Sequence, residues 1–203
     1  MSSVPSASDA VRGELNGKGE GVKGVMSGRD KISLHDGALR ALQDHHAGKF
    51  QGMKIALASS ANTPFAEKIG RAALAMLEVV PGVTVWDVLM KDWDGRDINQ
   101  IGRQPPRLSP NKSKSHFPNL KEETGILFSK MVFYDDCNWG DHCAQVGAFC
   151  TEDVPIGPTT VAVGPVTIRT PAGLSEELFF RGLTQYAARD RDLREKGDES
   201  RKQ

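Results

Sequence analysis

Three short stretches of this 203-residue chain hold side chains suited to act together on a phosphoryl group. The apolar run Lys54-Ile55-Ala56-Leu57-Ala58 ends in Ser59 and Ser60, whose hydroxyls can donate to phosphate oxygens. Lys112 and Lys114 flank Ser113 just ahead of His116-Phe117; an ammonium there offsets the negative charge of a transferring phosphoryl group. In the third stretch an apolar run, Met131-Val132-Phe133-Tyr134, ends in Asp135-Asp136. Two carboxylates in that position must be solvated, paired or metal-bound. The ion that suits them is Mg²⁺, which takes one or two protein carboxylates together with water and phosphate oxygens. Taken singly, each residue has a plainer reading: serine caps turns, lysine decorates surfaces, and aspartate caps helices. The shared place of the serines and the acids at the ends of apolar runs, with Asp141 close behind the acid pair, favours a site.

The elements that must position these residues follow from the apolar pattern. Nearly all-apolar runs predict parallel strands at about 53–58, 83–89, 131–134 and 147–151. Helical spacing predicts helices from about Leu34 to Leu42, Phe65 to Leu77, His116 to Thr124 and Ser175 to Ala188, with Gly125 as a C-terminal cap. A further helix is expected through Cys143 up to Gly147. Strands alternating with helices predict an α/β domain with a parallel sheet and helices on both faces, and in such sheets the chemistry lies beyond the carboxyl ends of the strands. Residues 1–28, rich in Gly, Ser and charge, are read as a disordered segment, 29–188 as the domain and 189–203 as a solvated charged tail. Residues 92–113 read as a polar excursion. Residues 155–173 read as a Pro/Gly-rich stretch around the β-prone Thr160–Val163 and Val166–Ile168.

Composition excludes several classes. Acids and bases are equal at 26 each, so there is no basic field for nucleic acid. No apolar run approaches a membrane span, and the start lacks the apolar core of a signal peptide. Three cysteines without paired spacing argue against a disulfide framework and for a reducing compartment, with the cytoplasm as the expectation. Cys137, His142, Cys143 and Cys150 are of metal-ligating type, but their spacing matches no zinc pattern, and Cys150 reads as a small apolar residue in a strand. His45-His46 fall at a helix end, facing carbonyls or water. Trp86 reads as core, and Trp93 and Trp139 as residues at the mouth of a pocket.

The order Ser, Lys, Asp-Asp resembles the magnesium-dependent phosphatases of the haloacid dehalogenase superfamily. The likeness runs from about residue 32 to 188, through Ile55–Ser60 with Thr63-Pro64, Ser113–Phe117, Leu120, Thr124-Gly125-Ile126, Phe128-Ser129 and Met131–Asp136, to Gly173-Leu174 and Gly182-Leu183. Thr124 to Asp136 is its most specific part. The resemblance implies a Rossmannoid three-layer fold and a phosphomonoesterase that works through an aspartyl-phosphate, on phosphoproteins (phosphotyrosine among them), phosphosugars or glycated amines. It implies that Ser59 holds a phosphoryl oxygen, that Ser60 stands at the substrate, and that Lys114 offsets charge with Lys112 as its rival. Asp136 would bind Mg²⁺ directly, with Asp135 in support.

The chain departs from that pattern in places. Ser60 stands where the family has Arg, and Cys137 where it has Glu. No upstream strand is expected to end in Asp-x-Asp, the family's nucleophile motif, and the sheet is therefore expected to lack its central strand. Two alternatives follow: a non-catalytic relative that binds phosphate or protein, or a reading frame whose start is incomplete.

Overall fold

A computed structural model of the chain describes residues 2–61, 63–102, 107–138 and 140–200. It divides into two compact units, Met1–Pro110 and Asn111–Gln203, where the sequence suggested one domain over 29–188. The first unit opens with β1 (Ala10–Glu14), β2 (Glu20–Ser27) and β3 (Asp30–Ile32), an antiparallel sheet in that order. Then come α1 (Asp36–His46), β4 (Ala58–Ser59), α2 (Pro64–Met76), β5 (Glu78–Val80), β6 (Val83–Thr84), α3 (Val85–Lys91) and β7 (Gln100–Ile101). Its core gathers Val22 and Val25 of β2 with Leu42, Ala73, Leu77, Val79, Val85, Val88 and Leu89.

Much of the segment expected to lack structure is therefore paired. Asn16 and Gly17 both have positive φ, at 51° and 77°, the requirement of a type I′ hairpin turn, for which Asn-Gly is the preferred pair. Lys18 N donates to Leu15 O and Leu15 N to Gly19 O, both at 3.0 Å, closing the turn.

Three other elements differ from the apolar pattern. Residues 83–89, expected as a strand, turn helical at Val85, because Thr84 and Asp87 form a reciprocal capping box. The run 53–58 keeps a ladder only at Ala58 and Ser59, paired in parallel with Gln100 and Ile101. Ahead of it the backbone bonds to side chains: Ile55 N donates to Asp92, Leu57 N to Asn99, and Trp93 Nε1 to Ile55 O at 2.7, 2.9 and 2.8 Å. Trp93 is thus 4 % exposed and a core residue, not the rim of a pocket. His45 at the end of α1 sets Nε2 2.8 Å from Asp92.

The second unit runs through a 3-10 turn (Lys112–Lys114), α4 (His116–Thr124), a 3-10 turn (Phe128–Lys130), β8 (Val132–Asp135), α5 (His142–Phe149), β9 (Glu152–Ile156), β10 (Thr159–Val163), β11 (Val166–Arg169) and α6 (Glu176–Ser200). β8 pairs in parallel with β11, and β9 with β10 in an antiparallel hairpin. Gly125 closes α4 in the left-handed conformation at φ 69°, as expected. Residues 147–149, expected to open a strand, instead complete α5. Asp141 caps that helix by accepting from Ala144 N at 2.8 Å, and Cys143, Val146 and Cys150 recur at helical spacing inside a core with Phe117, Phe128 and Phe133. The charged tail from Arg189 continues α6 to Ser200. Arg189 donates to the carbonyls of Gly164 and Ser129, both at 2.6 Å.

The architecture is mixed α/β with small parallel and antiparallel sheets. Among the described residues no helix is long and apolar enough to cross a membrane.

Candidate active site

The acid pair stands where the sequence placed it, at the carboxyl end of a parallel strand. β8 holds its register with β11 from Val132↔Val166 to Arg169↔Asp135, and Thr170 N donates to Asp135 O at 2.9 Å. Phe133 points into the core, and the alternation of a strand would send Asp135 to the same side. Both are buried, at 6 % exposure.

Lys112 comes to meet it. The Asn111 side chain accepts from Ser113 N at 2.9 Å and from Ser113 Oγ at 2.7 Å, which fixes the 3-10 turn and turns Lys112 inward. The Lys112 ammonium bonds Asp135 Oδ2 and lies 5.3 Å from the centre of the Phe133 ring. A lysine only 6 % exposed is retained because it is paired.

The remaining donors to Asp135 come from the turn after β8 and from the first residue of α5. Cys137 N donates to Oδ1 at 2.9 Å, and His142 Nδ1 stands 3.2 Å from Oδ1. Burial alone would raise the Asp135 carboxyl. The Lys112 ammonium, then the Cys137 N–H and the neighbouring His142, outweigh it, and the carboxyl is held below its usual range. In the sequence His142 stands out only beside Cys137, Cys143 and Cys150, at a spacing that matches no zinc pattern. The signal that brings it here is the Asp141 cap, which starts α5 at His142.

The other expected site residues belong to separate elements. Asp136 and Lys114 are exposed, the first past the end of β8 and the second at the end of the 3-10 turn. Ser59 and Ser60 belong to the first unit. Ser59 Oγ accepts from Ala61 N at 3.3 Å, while the buried Ser60 Oγ has no hydrogen-bond partner among the described residues. Trp139 lies outside the described residues.

A strand-end carboxylate held by a buried lysine, with an exposed carboxylate beside it, is an arrangement suited to anionic oxygen chemistry. Residues 16–189 match the family model described as Acid Phosphatase. The chain belongs to the acid phosphatase family. No curated protein and no solved structure matches it. The family match spans both units, so Ser59 and the Lys112–Asp135 pair fall alike within the acid phosphatase region.

Two carboxylates of the acid phosphatase region stand at the end of β8, and they differ in what they already bind. Asp135 has its Oδ2 on Lys112 and its Oδ1 on Cys137 N. Asp136 is exposed, and among the described residues its carboxylate has no hydrogen-bond or ion-pair partner. One carboxylate completed by phosphate oxygens and water is within what Mg²⁺ accepts, so the fit to Mg²⁺ rests on Asp136.

Proposed function

We propose that this member of the acid phosphatase family is a phosphomonoester hydrolase of the haloacid dehalogenase kind, acting on phosphoprotein or phosphosugar substrates. The observation that supports it is the Lys112–Asp135 ion pair at the carboxyl end of β8, inside the region that matches the family. On this reading Lys112, rather than the exposed Lys114, sets the positive field at the phosphoryl group, and Asp135 fixes where its ammonium stands. Lys114 is left to meet substrate charge from the surface. Ser59 and Ser60, in the first unit, are the hydroxyls that the family resemblance assigns to phosphoryl oxygens. Asp136 is the Mg²⁺ ligand; when bound, the ion would draw charge from the phosphate oxygens. Three free thiols suit a reducing compartment such as the cytoplasm.

A second reading has an observation of its own. None of β1, β2 or β3 ends in Asp-x-Asp: they close on Gly13-Glu14, Met26-Ser27 and Lys31-Ile32. Without a carboxylate nucleophile the covalent intermediate that divides the reaction cannot form. The chain would then bind phosphate or a phosphorylated protein without turnover. Hydrolysis of p-nitrophenyl phosphate, with Mg²⁺ and with chelator, separates the two. Chelator-sensitive turnover that disappears in Lys112→Met supports the hydrolase. Phosphate binding with turnover at background supports the binding protein, and the absence of both excludes each.

A further inference from the structure

The turn that follows β8 brings together three metal-ligating atoms of different chemistry. A carboxylate oxygen of Asp135, the Sγ of Cys137 and a ring nitrogen of His142 all lie within 4.8 Å of one another. Asp135 and His142 are buried, at 6 % and 3 % exposure, and Cys137 is half-buried. His142 Nδ1 is 3.2 Å from Asp135 Oδ1, and a methyl at Gly140 would stand 3.8 Å from His142 Nε2 and 4.0 Å from Cys137 Sγ. We propose that Asp135, Cys137 and His142 form a binding site for a thiophilic divalent cation, Zn²⁺ above all.

The donor chemistry selects the ion. Mg²⁺ and Ca²⁺ take oxygen ligands and have little use for a thiolate. One sulfur, one imidazole nitrogen and one carboxylate oxygen suit Zn²⁺, and three protein ligands leave its fourth position to water. Zn–S near 2.3 Å and Zn–N or Zn–O near 2.0–2.2 Å put tetrahedral ligands roughly 3.5 Å apart. The widest pair therefore closes by about 1 Å, a movement within reach of Cys137 in the turn. On binding, the Cys137 S–H bond breaks, a Zn–S bond forms, and the proton passes to the buffer.

The spacing Asp-x-Cys-x₄-His resembles no zinc signature because the set is assembled by the fold. β8 ends at the first ligand, and Asp141 caps α5 so that the helix begins at the third. Lys112 is the opposing element. Its ammonium lies on the same carboxylate, so the ion takes Oδ1 against a nearby positive charge. Removing that ammonium should tighten Zn²⁺ binding. This site rests on the second unit alone, and it is independent of the phosphatase reading.

Titration of the full chain with Co²⁺, followed by near-ultraviolet absorption, reads sulfur-to-metal charge transfer directly. The parent should show the band, and Zn²⁺ should displace it. Cys137→Ser should lose the band and weaken Zn²⁺ binding by at least about 100-fold, since even outer-shell partners are worth 10–100-fold. Cys143→Ser and Asp136→Asn should keep it. A parent without the band overturns the proposal, as does a band that survives Cys137→Ser or is abolished by Cys143→Ser or Asp136→Asn. Turnover has no part in this readout, so the phosphatase reading and the metal site fail separately.

Discussion

Lys112 and Asp135 lie 23 positions apart in the chain and form a direct ion pair whose side chains are only 8 % and 4 % exposed. Each charge is tolerable out of water only because the other is there. Truncating one partner leaves a buried charge uncompensated, at a cost of about 3–5 kcal/mol. Lys112→Met and Asp135→Asn should each lose stability on that scale in urea unfolding. Lys114→Met, at an exposed position, should stay within about 0.5 kcal/mol of the parent. Equal losses at both lysines would mean that Lys112 is not the buried partner.

The pair also fixes the direction of an acid effect. The Asp135 carboxyl is held below its usual range in the folded chain, whereas in the unfolded chain it titrates near the ordinary value of about 3.9. The stabilisation it gives is therefore fully present above that value and is lost as pH falls through the lower, folded-state value. The stability gap between parent and Asp135→Asn should be flat from about pH 5 to 7 and close only on the acid side of about pH 4. A gap that closes between pH 5 and 7 would assign the effect to another group.

Gly182 tests the docking of α6 on β8. Tyr134 donates its hydroxyl to Phe179 O at 2.7 Å, and burial pushes its phenol up to about 12. A methyl at Gly182 would stand 2.8 Å from Cζ and 2.9 Å from Cε1 of that ring. Because the hydroxyl is bonded and the ring packs against Phe179 at 5.9 Å, it cannot simply swing aside. Gly182→Ala should cost about 1–3 kcal/mol, in the manner of an overpacked core, although alanine is the better helix former. An unchanged or raised melting temperature would show that the ring yields.

How far the sequence carried follows from these particulars. The strand ending in Asp135, the helix capped by Gly125 and the helix after Thr63-Pro64 were legible because an apolar run and its stop signal agree. Residues 85–89 and 147–149 carry a strand-like pattern yet fold as helix, because apolar runs of that length serve strand and helix alike. The deciding caps, Thr84 with Asp87 and Asp141, are short polar signals beside them. The hairpin at Asn16-Gly17 was hidden by composition: glycine and charge suggested disorder, while the turn chemistry of two residues was enough to pair β1 with β2. Near the acid pair, the strand end was legible but which lysine is buried was not. Lys112 and Lys114 are equivalent by type, and only the 3-10 turn set by Asn111 buries one and exposes the other.

The last expectation concerns Mg²⁺ and the two aspartates outside the ion pair. Asp136 is exposed at the end of β8 and holds an uncommitted carboxylate. Asp141 has one oxygen on Ala144 N at 2.8 Å and the other 3.8 Å from Arg169. Asparagine caps a helix as well as aspartate does, so Asp141→Asn changes charge while leaving α5 in place. If Asp136 is the Mg²⁺ ligand, titration calorimetry should show Asp136→Asn weakening the ion by about tenfold or more, the loss of about 1.4 kcal/mol or more. Asp141→Asn should change it by less than about threefold, since its carboxylate is already committed to the helix and faces a guanidinium. Equal losses would place the ion between the two residues, and a larger loss at Asp141 would move it off the strand end altogether. Binding by neither parent nor variant would remove Mg²⁺ from the free chain and leave it to arrive only with a phosphorylated substrate. Repeating the titration with inorganic phosphate present distinguishes that case, because phosphate oxygens would then complete the shell that Asp136 alone cannot fill.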